Sequence, residues 1–213
     1  MRRETVLVPG ARRVEATLDA PDDADGGGAG DRVHACVVAC PPHPEGGGSR
    51  SDRRLTAVSD SLTERGVACL RLDYGAWDGG DGEREDARNA LRWASERYAS
   101  VGLFGYSFGA GIAALAAADV GVAVGALALL APDDAVGDGL HAARAVRGLD
   151  ASLPVHVVYG ERDERADWRP VVDAVRERGG AVDAFDADHT FLGRRATTAA
   201  DAIAAFLARE LRA

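Results

Sequence analysis

Residues Val101–Ala118 read VGLFGYSFGAGIAALAAA. An apolar run enters the pentapeptide Gly105-Tyr106-Ser107-Phe108-Gly109 and leaves it as an alanine-rich segment. The first part, Val101–Phe104, reads as a strand and the last, Phe108–Ala118, as a helix. A Gly-x-Ser-x-Gly at a strand-to-helix turn puts the serine on a sharp, strained backbone. Both glycines are required there, because side chains would strike the adjacent strand and helix. The hydroxyl then projects above the sheet beside a helix N-terminus, whose free N–H groups favour developing negative charge. A Gly-rich chain also produces this pattern by chance, and a structural tight turn is the plain alternative. The strand before and the helix after give it chemical meaning.

The pattern on either side is β, α, β, α. Upstream, Thr5–Val8 and Arg13–Ala20 read as strands, the second with Val14, Ala16 and Leu18 alternating. The Gly-rich stretch Pro21–Asp31 is expected to be the hairpin tip that follows them. His34–Ala39 is a short apolar strand. Asp52–Arg65 carries Leu55, Val58 and Leu62 at helical spacing and stops at Gly66. Val67–Leu72 is a strand and Glu83–Arg97 a helix. Downstream, Gly125–Leu130 and Val155–Tyr159 are strands, and a solvent-facing helix is expected between Pro132 and Pro154. Trp168–Arg178 (helix), Ala181–Phe185 (strand) and Thr197–Leu211 (helix) complete the chain. Apolar strands alternating with amphipathic helices imply an α/β fold with a mostly parallel sheet of about eight strands, helices on both faces and antiparallel N-terminal strands. Ligands in such sheets bind beyond the carboxyl ends of the strands.

Composition narrows the function classes. The chain has 213 residues and is 46% hydrophobic, so disorder is excluded and one domain over residues 1–213 is expected. Twenty-five basic residues, all arginine, stand against 34 acidic ones, a net charge of −9. A net-negative domain is a poor partner for a phosphate backbone, so nucleic acid is not expected. Arginine-only basicity with abundant Asp, Ala and Gly fits GC-rich coding, and the acidic excess fits equally a salt-adapted host. Cys36, Cys40 and Cys69 form no disulfide framework and no metal-ligand spacing, and they read as buried apolar residues in a reducing compartment. The N-terminus MRRETVLVPG has only Val6–Val8 as an apolar run, and no stretch is long enough to span a membrane. A cytoplasmic protein with no membrane partner, no metal and no cofactor is the expectation; oligomeric state is not legible.

A serine hydroxyl is a weak nucleophile until a base takes its proton. Of the five histidines, His34 opens a strand, His156 lies inside one, and His141 lies in the segment after Pro132. His43 and His189 lie in loops at carboxyl ends of strands. His189, in ADHTFLG between the last strand and the last helix, shares the edge of Ser107 and is the candidate base. An acid must orient the imidazole and stabilise its protonated form. Asp163 follows the strand Val155–Tyr159 and the turn residue Gly160; Glu161, Glu164 and Asp167 compete with it. The order Ser107, Asp163, His189 is the one this sheet topology uses. The oxyanion requires two donors. One is the N–H of Phe108, after the nucleophile. In CPPHPEGGG the prolines Pro41, Pro42 and Pro44 have no N–H, which leaves that of His43. A rigid turn with a surface histidine is the alternative reading of that loop.

With these residues in place, the chain resembles the α/β-hydrolase superfamily, most of all its small, lid-poor members near dienelactone hydrolases and acyl-ester hydrolases. Pro42-His43-Pro44 followed by Gly46-Gly47 resembles a loop several of them carry, and the resemblance runs nearly the whole length. It implies Ser107 as nucleophile, His189 as base, Asp163 as acid and Phe108 with His43 as oxyanion donors. In this fold any cap lies between the strands ending at Leu130 and starting at Val155, where this chain has room for one helix. The implied site is open and suits a small-molecule ester or thioester, with Tyr106, Trp77 and Phe191 as walls or, equally, as core packing. A non-catalytic binding module and a small peptidase with the same residues remain open.

Overall fold

The computed structural model describes residues 1–22 and 35–212. The glycine-rich residues 23–31 and His34 lie outside them. Chain order is β1 (Arg2–Val8), β2 (Val14–Ala20), β3 (Ala35–Cys40), α1 (Arg53–Glu64), β4 (Ala68–Leu72), α2 (Asp81–Ser95), β5 (Ser100–Tyr106), α3 (Phe108–Ala118), β6 (Ala126–Leu130), β7 (Ala135–Gly137), β8 (Leu140–His141), α4 (Ala142–Gly148), β9 (Val155–Gly160), α5 (Arg169–Glu177), β10 (Ala181–Phe185) and α6 (Arg194–Glu210). Eight of the strands form one sheet in the order β1-β2-β4-β3-β5-β6-β9-β10. Within this sheet β2 pairs antiparallel with both β1 and β4, and every other pairing is parallel. The expected α/β architecture with antiparallel N-terminal strands is therefore the one found, but the hairpin is β1–β2; β2 and β3 are separated in the sheet by β4, so the segment joining them is not the hairpin tip expected at Pro21–Asp31.

Side-chain alternation along the central strands builds two cores. On β3, Cys36, Val38 and Cys40 face one way and Ala35, Val37 and Ala39 the other, all fully buried or nearly so. The first face is covered by α2, α3, α4 and α5, the second by α1 and α6. Burial on both sides explains why these strands are continuous apolar runs. α1 starts at Asp52, whose carboxylate accepts from the Arg54 N–H at 2.8 Å, and buries Leu55, Val58 and Leu62. α3 is apolar all round because it packs at the centre of its layer. The cysteines are buried free thiols, and desolvation pushes those of Cys40 and Cys69 up to about 12.

One expectation needs correcting. Between Pro132 and Pro154 the chain first forms the β7–β8 hairpin, and α4 follows as a short helix whose Ala142, Ala143, Ala145 and Val146 are buried. The expected helix is therefore present but solvent-facing on one side only: its small apolar side packs inward while Arg144 and Arg147 face out. His141 is exposed on β8, with Nδ1 3.1 Å from the Asp134 carboxylate.

Candidate active site

Ser107 links β5 to α3 with φ 57° and ψ −126°, a conformation that costs a non-glycine residue on the order of 1–3 kcal/mol. Its neighbours hold it there. The Ser107 N–H donates to the Leu130 carbonyl at 2.9 Å, and the Ala110 N–H donates to the Ser107 carbonyl at 2.9 Å. A Cβ at Gly105 would collide with the carbonyl of Gly109, and one at Gly109 with the carbonyls of Cys40 and Pro41. The two glycines thus let strand, helix and the following loop of β3 close on one another.

The hydroxyl of Ser107 lies 2.9 Å from His189 Nε2, and His189 Nδ1 lies 2.7 Å from Asp163 Oδ2. The Asp163 carboxylate is fully buried, and its second oxygen accepts from the N–H groups of Arg165 (2.9 Å) and Ala166 (3.1 Å). The Trp168 indole N–H donates to the Asp163 carbonyl at 3.1 Å. His189 is fixed from the opposite side, where the Tyr106 hydroxyl donates to its carbonyl at 3.0 Å. The loops after β9 and β10 are tied together by the Arg162 N–H on the Ala187 carbonyl at 3.0 Å. Three residues 82 and 26 positions apart in sequence thus form one hydrogen-bonded chain. Glu161, Glu164 and Asp167 make no such contact.

Phe108 is the first residue of α3, so its N–H has no intrahelical partner. The loop after β3 turns tightly at His43, whose carbonyl accepts from Gly46 and Gly48 at 3.0 Å each. The His43 ring lies 4.4 Å from that of Trp77 and 4.7 Å from that of Phe108. These rings wall one lobe of an open cleft beside Ser107, about 380 Å³ in volume, which Val136, Asp133 and Arg165 also line. A second lobe of about 210 Å³ is lined by Pro42, Gly46–Gly48, Asp52, Arg54, Tyr106, Arg165 and Thr190. Ser107, His43, Arg165 and His189 border both.

Of the three expected walls, Trp77 lines the cleft at 38% exposure, whereas Phe191 is fully buried and packs on Phe185 as core. Tyr106 is nearly buried and acts mainly through its hydrogen bond to the His189 loop. Asp133, Arg165 and Arg54 were not singled out from sequence. Asp133 does stand just past β6, at the same carboxyl edge, and that position was the available signal. Burial pushes its carboxyl above the ordinary range, against hydrogen bonding from the Asp167 N–H and the field of His189. His156 is buried in β9, 3.0 Å from Asp183, and burial lowers its pKa despite that partner. Among the described residues no group of three His, Cys, Asp or Glu converges to hold a metal, and no helix is long and apolar enough to cross a membrane.

No family model matches the chain, and no curated protein does. Solved structures do. Est1E from Butyrivibrio proteoclasticus superposes with a TM-score of 0.82 at 17% identity, over 98% of this chain and 99% of that one. An α/β serine hydrolase without a lid from Xanthomonas campestris gives 0.78 at 23% identity, covering 99% and 96%. An α/β serine hydrolase homologue from Coxiella burnetii gives 0.73 at 26% identity, covering 97% and 96%.

Proposed function

We propose that this chain, which has the lidless α/β-hydrolase fold, is a serine hydrolase of small carboxylic esters or thioesters, residues 1–213 acting as one domain. The observation that carries the proposal is the hydrogen-bonded chain Ser107–His189–Asp163 set on a positive-φ turn. As Ser107 Oγ attacks the substrate carbonyl, His189 Nε2 takes its proton, and buried Asp163 stabilises the imidazolium at Nδ1. The N–H groups of Phe108 and His43 receive the oxyanion. Collapse of the tetrahedral intermediate breaks the bond to the leaving alcohol or thiol, which takes the proton from His189. Water, deprotonated by the same imidazole, then attacks the acyl-enzyme and frees the acid and Ser107. The open cleft supports a small substrate, and its wall of Trp77, His43 and Phe108 supports one with a planar, apolar group. Est1E, one of the neighbours, has been observed with ferulic acid bound, a planar aromatic acid.

The test is labelling with a fluorophosphonate probe, with Ser107→Ala as control. Stoichiometric labelling lost in the variant is expected. Labelling that survives the substitution refutes Ser107 as nucleophile, and no labelling of folded protein at low or molar salt refutes the hydrolase reading.

A further inference from the structure

Trp77 forms much of the aromatic wall, yet it sits in the loop between β4 and α2 and is itself part-exposed. What holds it is a charge cluster outside the cleft. Arg12, in the turn between β1 and β2, reaches into that loop with a side chain only 22% exposed. Its Nε lies 3.0 and 3.1 Å from the two carboxylate oxygens of Asp86. Its terminal nitrogens meet Glu83 at 3.3 Å, Asp78 at 3.4 Å and the carbonyl of Ala76. Ala76 and Asp78 are the two residues on either side of Trp77.

The carboxylates extend the tether along the backbone. Glu83, fully buried, accepts from the N–H groups of Asp78 (3.0 Å) and Gly80 (2.8 Å). Asp86, also fully buried, accepts from the Gly75 N–H at 2.9 Å. A Cβ at Gly75 would lie 2.9 Å from Arg12 Nε, and one at Gly82 would collide with the guanidinium, so glycines leave the space it occupies. Gly75, Ala76, Asp78 and Gly80 are thus pinned, and the ring of Trp77 is delivered to His43 (4.4 Å) and Phe108 (5.6 Å). Arg12 borders neither lobe and has no part in the proton path. Only a planar fork meets three carboxylates and a carbonyl at once, which the point charge of a lysine does not.

We propose that Arg12 is a positioning residue that sets the placement of Trp77, and through it the preference for substrates with a planar apolar group; the preference, though not the tether, rests on the hydrolase reading. The experiment measures kcat/KM for p-nitrophenyl benzoate and p-nitrophenyl acetate in the wild type, Arg12→Lys, Trp77→Ala and the double variant. In Arg12→Lys the benzoate-to-acetate ratio is expected to fall between about twofold and tenfold, mainly through KM for benzoate, the range one aromatic contact supplies. In the Trp77→Ala background Arg12→Lys is expected to leave the ratio where it is. An equal loss on both esters, or an equal change of ratio with and without Trp77, overturns the proposal.

A second readout does not need turnover. Trp93 and Trp168 are 9% and 8% exposed, so acrylamide quenching reports chiefly on Trp77. Quenching is expected to rise in Arg12→Lys, and an unchanged quenching constant overturns the tether. Should Arg12→Lys not fold, Asp78→Ala removes only the exposed arm and is expected to move both readouts in the same direction; no movement there counts against the proposal. A wild type that hydrolyses neither ester defeats the hydrolase reading, while the quenching comparison still decides the tether.

Discussion

Replacing Asp163 by Asn tests the proton path with little disturbance of shape. In the wild type one carboxylate oxygen faces His189 Nδ1 at 2.7 Å and the other accepts two backbone N–H groups at 2.9 and 3.1 Å. An asparagine has one acceptor and one donor for these two positions. Turning its NH2 toward the backbone would leave the buried Ala166 N–H unpaired, at about 1–3 kcal/mol, and the part-buried Arg165 N–H with it, so the amide oxygen stays there and the NH2 faces Nδ1. Nδ1 must then accept, the imidazole proton moves to Nε2, and Nε2 meets Ser107 as a donor instead of a base. The corresponding substitution in a serine protease lowers kcat about 10⁴-fold, equivalent to about 5.5 kcal/mol in the barrier. We expect a loss of that order here in p-nitrophenyl ester turnover and in the rate of fluorophosphonate labelling. Because both backbone donors keep their acceptor, the thermal midpoint should hardly move. A loss below tenfold in folded Asp163→Asn would refute the assignment. Asp133, whose carboxyl lines the same lobe as His189, would then be the acid to test through Asp133→Asn.

Three further outcomes are expected. His43 has φ −53°, close to the value a proline ring imposes, so His43→Pro should fold yet lose one oxyanion donor and about 10²- to 10³-fold in kcat, while His43→Ala retains that donor; equal activities in the two variants would remove His43 N–H from the hole. Gly109→Ala sets a methyl group against the carbonyls of Cys40 and Pro41, backbone that cannot swing aside, so the unfolding free energy from urea titration should fall by about 1–3 kcal/mol or more, the cost of an overpacked core site. Asp19, fully buried, accepts from Arg71 Nε at 2.8 Å and the Ser59 hydroxyl at 2.7 Å. Burial pushes its pKa up, but these donors and Arg3 hold it below the ordinary value. Its stabilisation is therefore present above the unfolded pKa of about 3.9 and is lost as pH falls through the lower folded one. Asp19→Asn, which strands Arg71, should cost about 3–5 kcal/mol at pH 7, measured by urea unfolding, and the gap to wild type should narrow below pH about 4.

Much of this protein was legible along the chain because the informative signals are local. Strands buried on both faces must be apolar runs, helices covering them must repeat at helical spacing, and a strand end followed by Gly-Tyr-Ser-Phe-Gly marks its own turn. Ser107, Asp163 and His189 could be chosen because each stands just past a strand, and parallel strands deliver their carboxyl ends to one edge. In the loop of Pro41, Pro42 and Pro44, what proline lacks leaves the His43 N–H as the candidate donor.

The tertiary structure decided what depends on residues remote in sequence. Phe191 and Trp77 are both aromatic loop residues, yet one is core and the other cleft wall, because Phe191 folds under against Phe185 while Arg12 meets the Ala76 carbonyl on one side of Trp77 and the Asp78 carboxylate on the other. Asp133 and Arg165 became cleft residues only when the loops after β6 and β9 met over Ser107. The β7–β8 hairpin is not legible in the sequence because strands of three and two residues carry too little periodicity. Local pattern specifies backbone conformation, since that is set by neighbouring atoms; which side chains share a cavity is set by contacts whose partners lie tens of residues away.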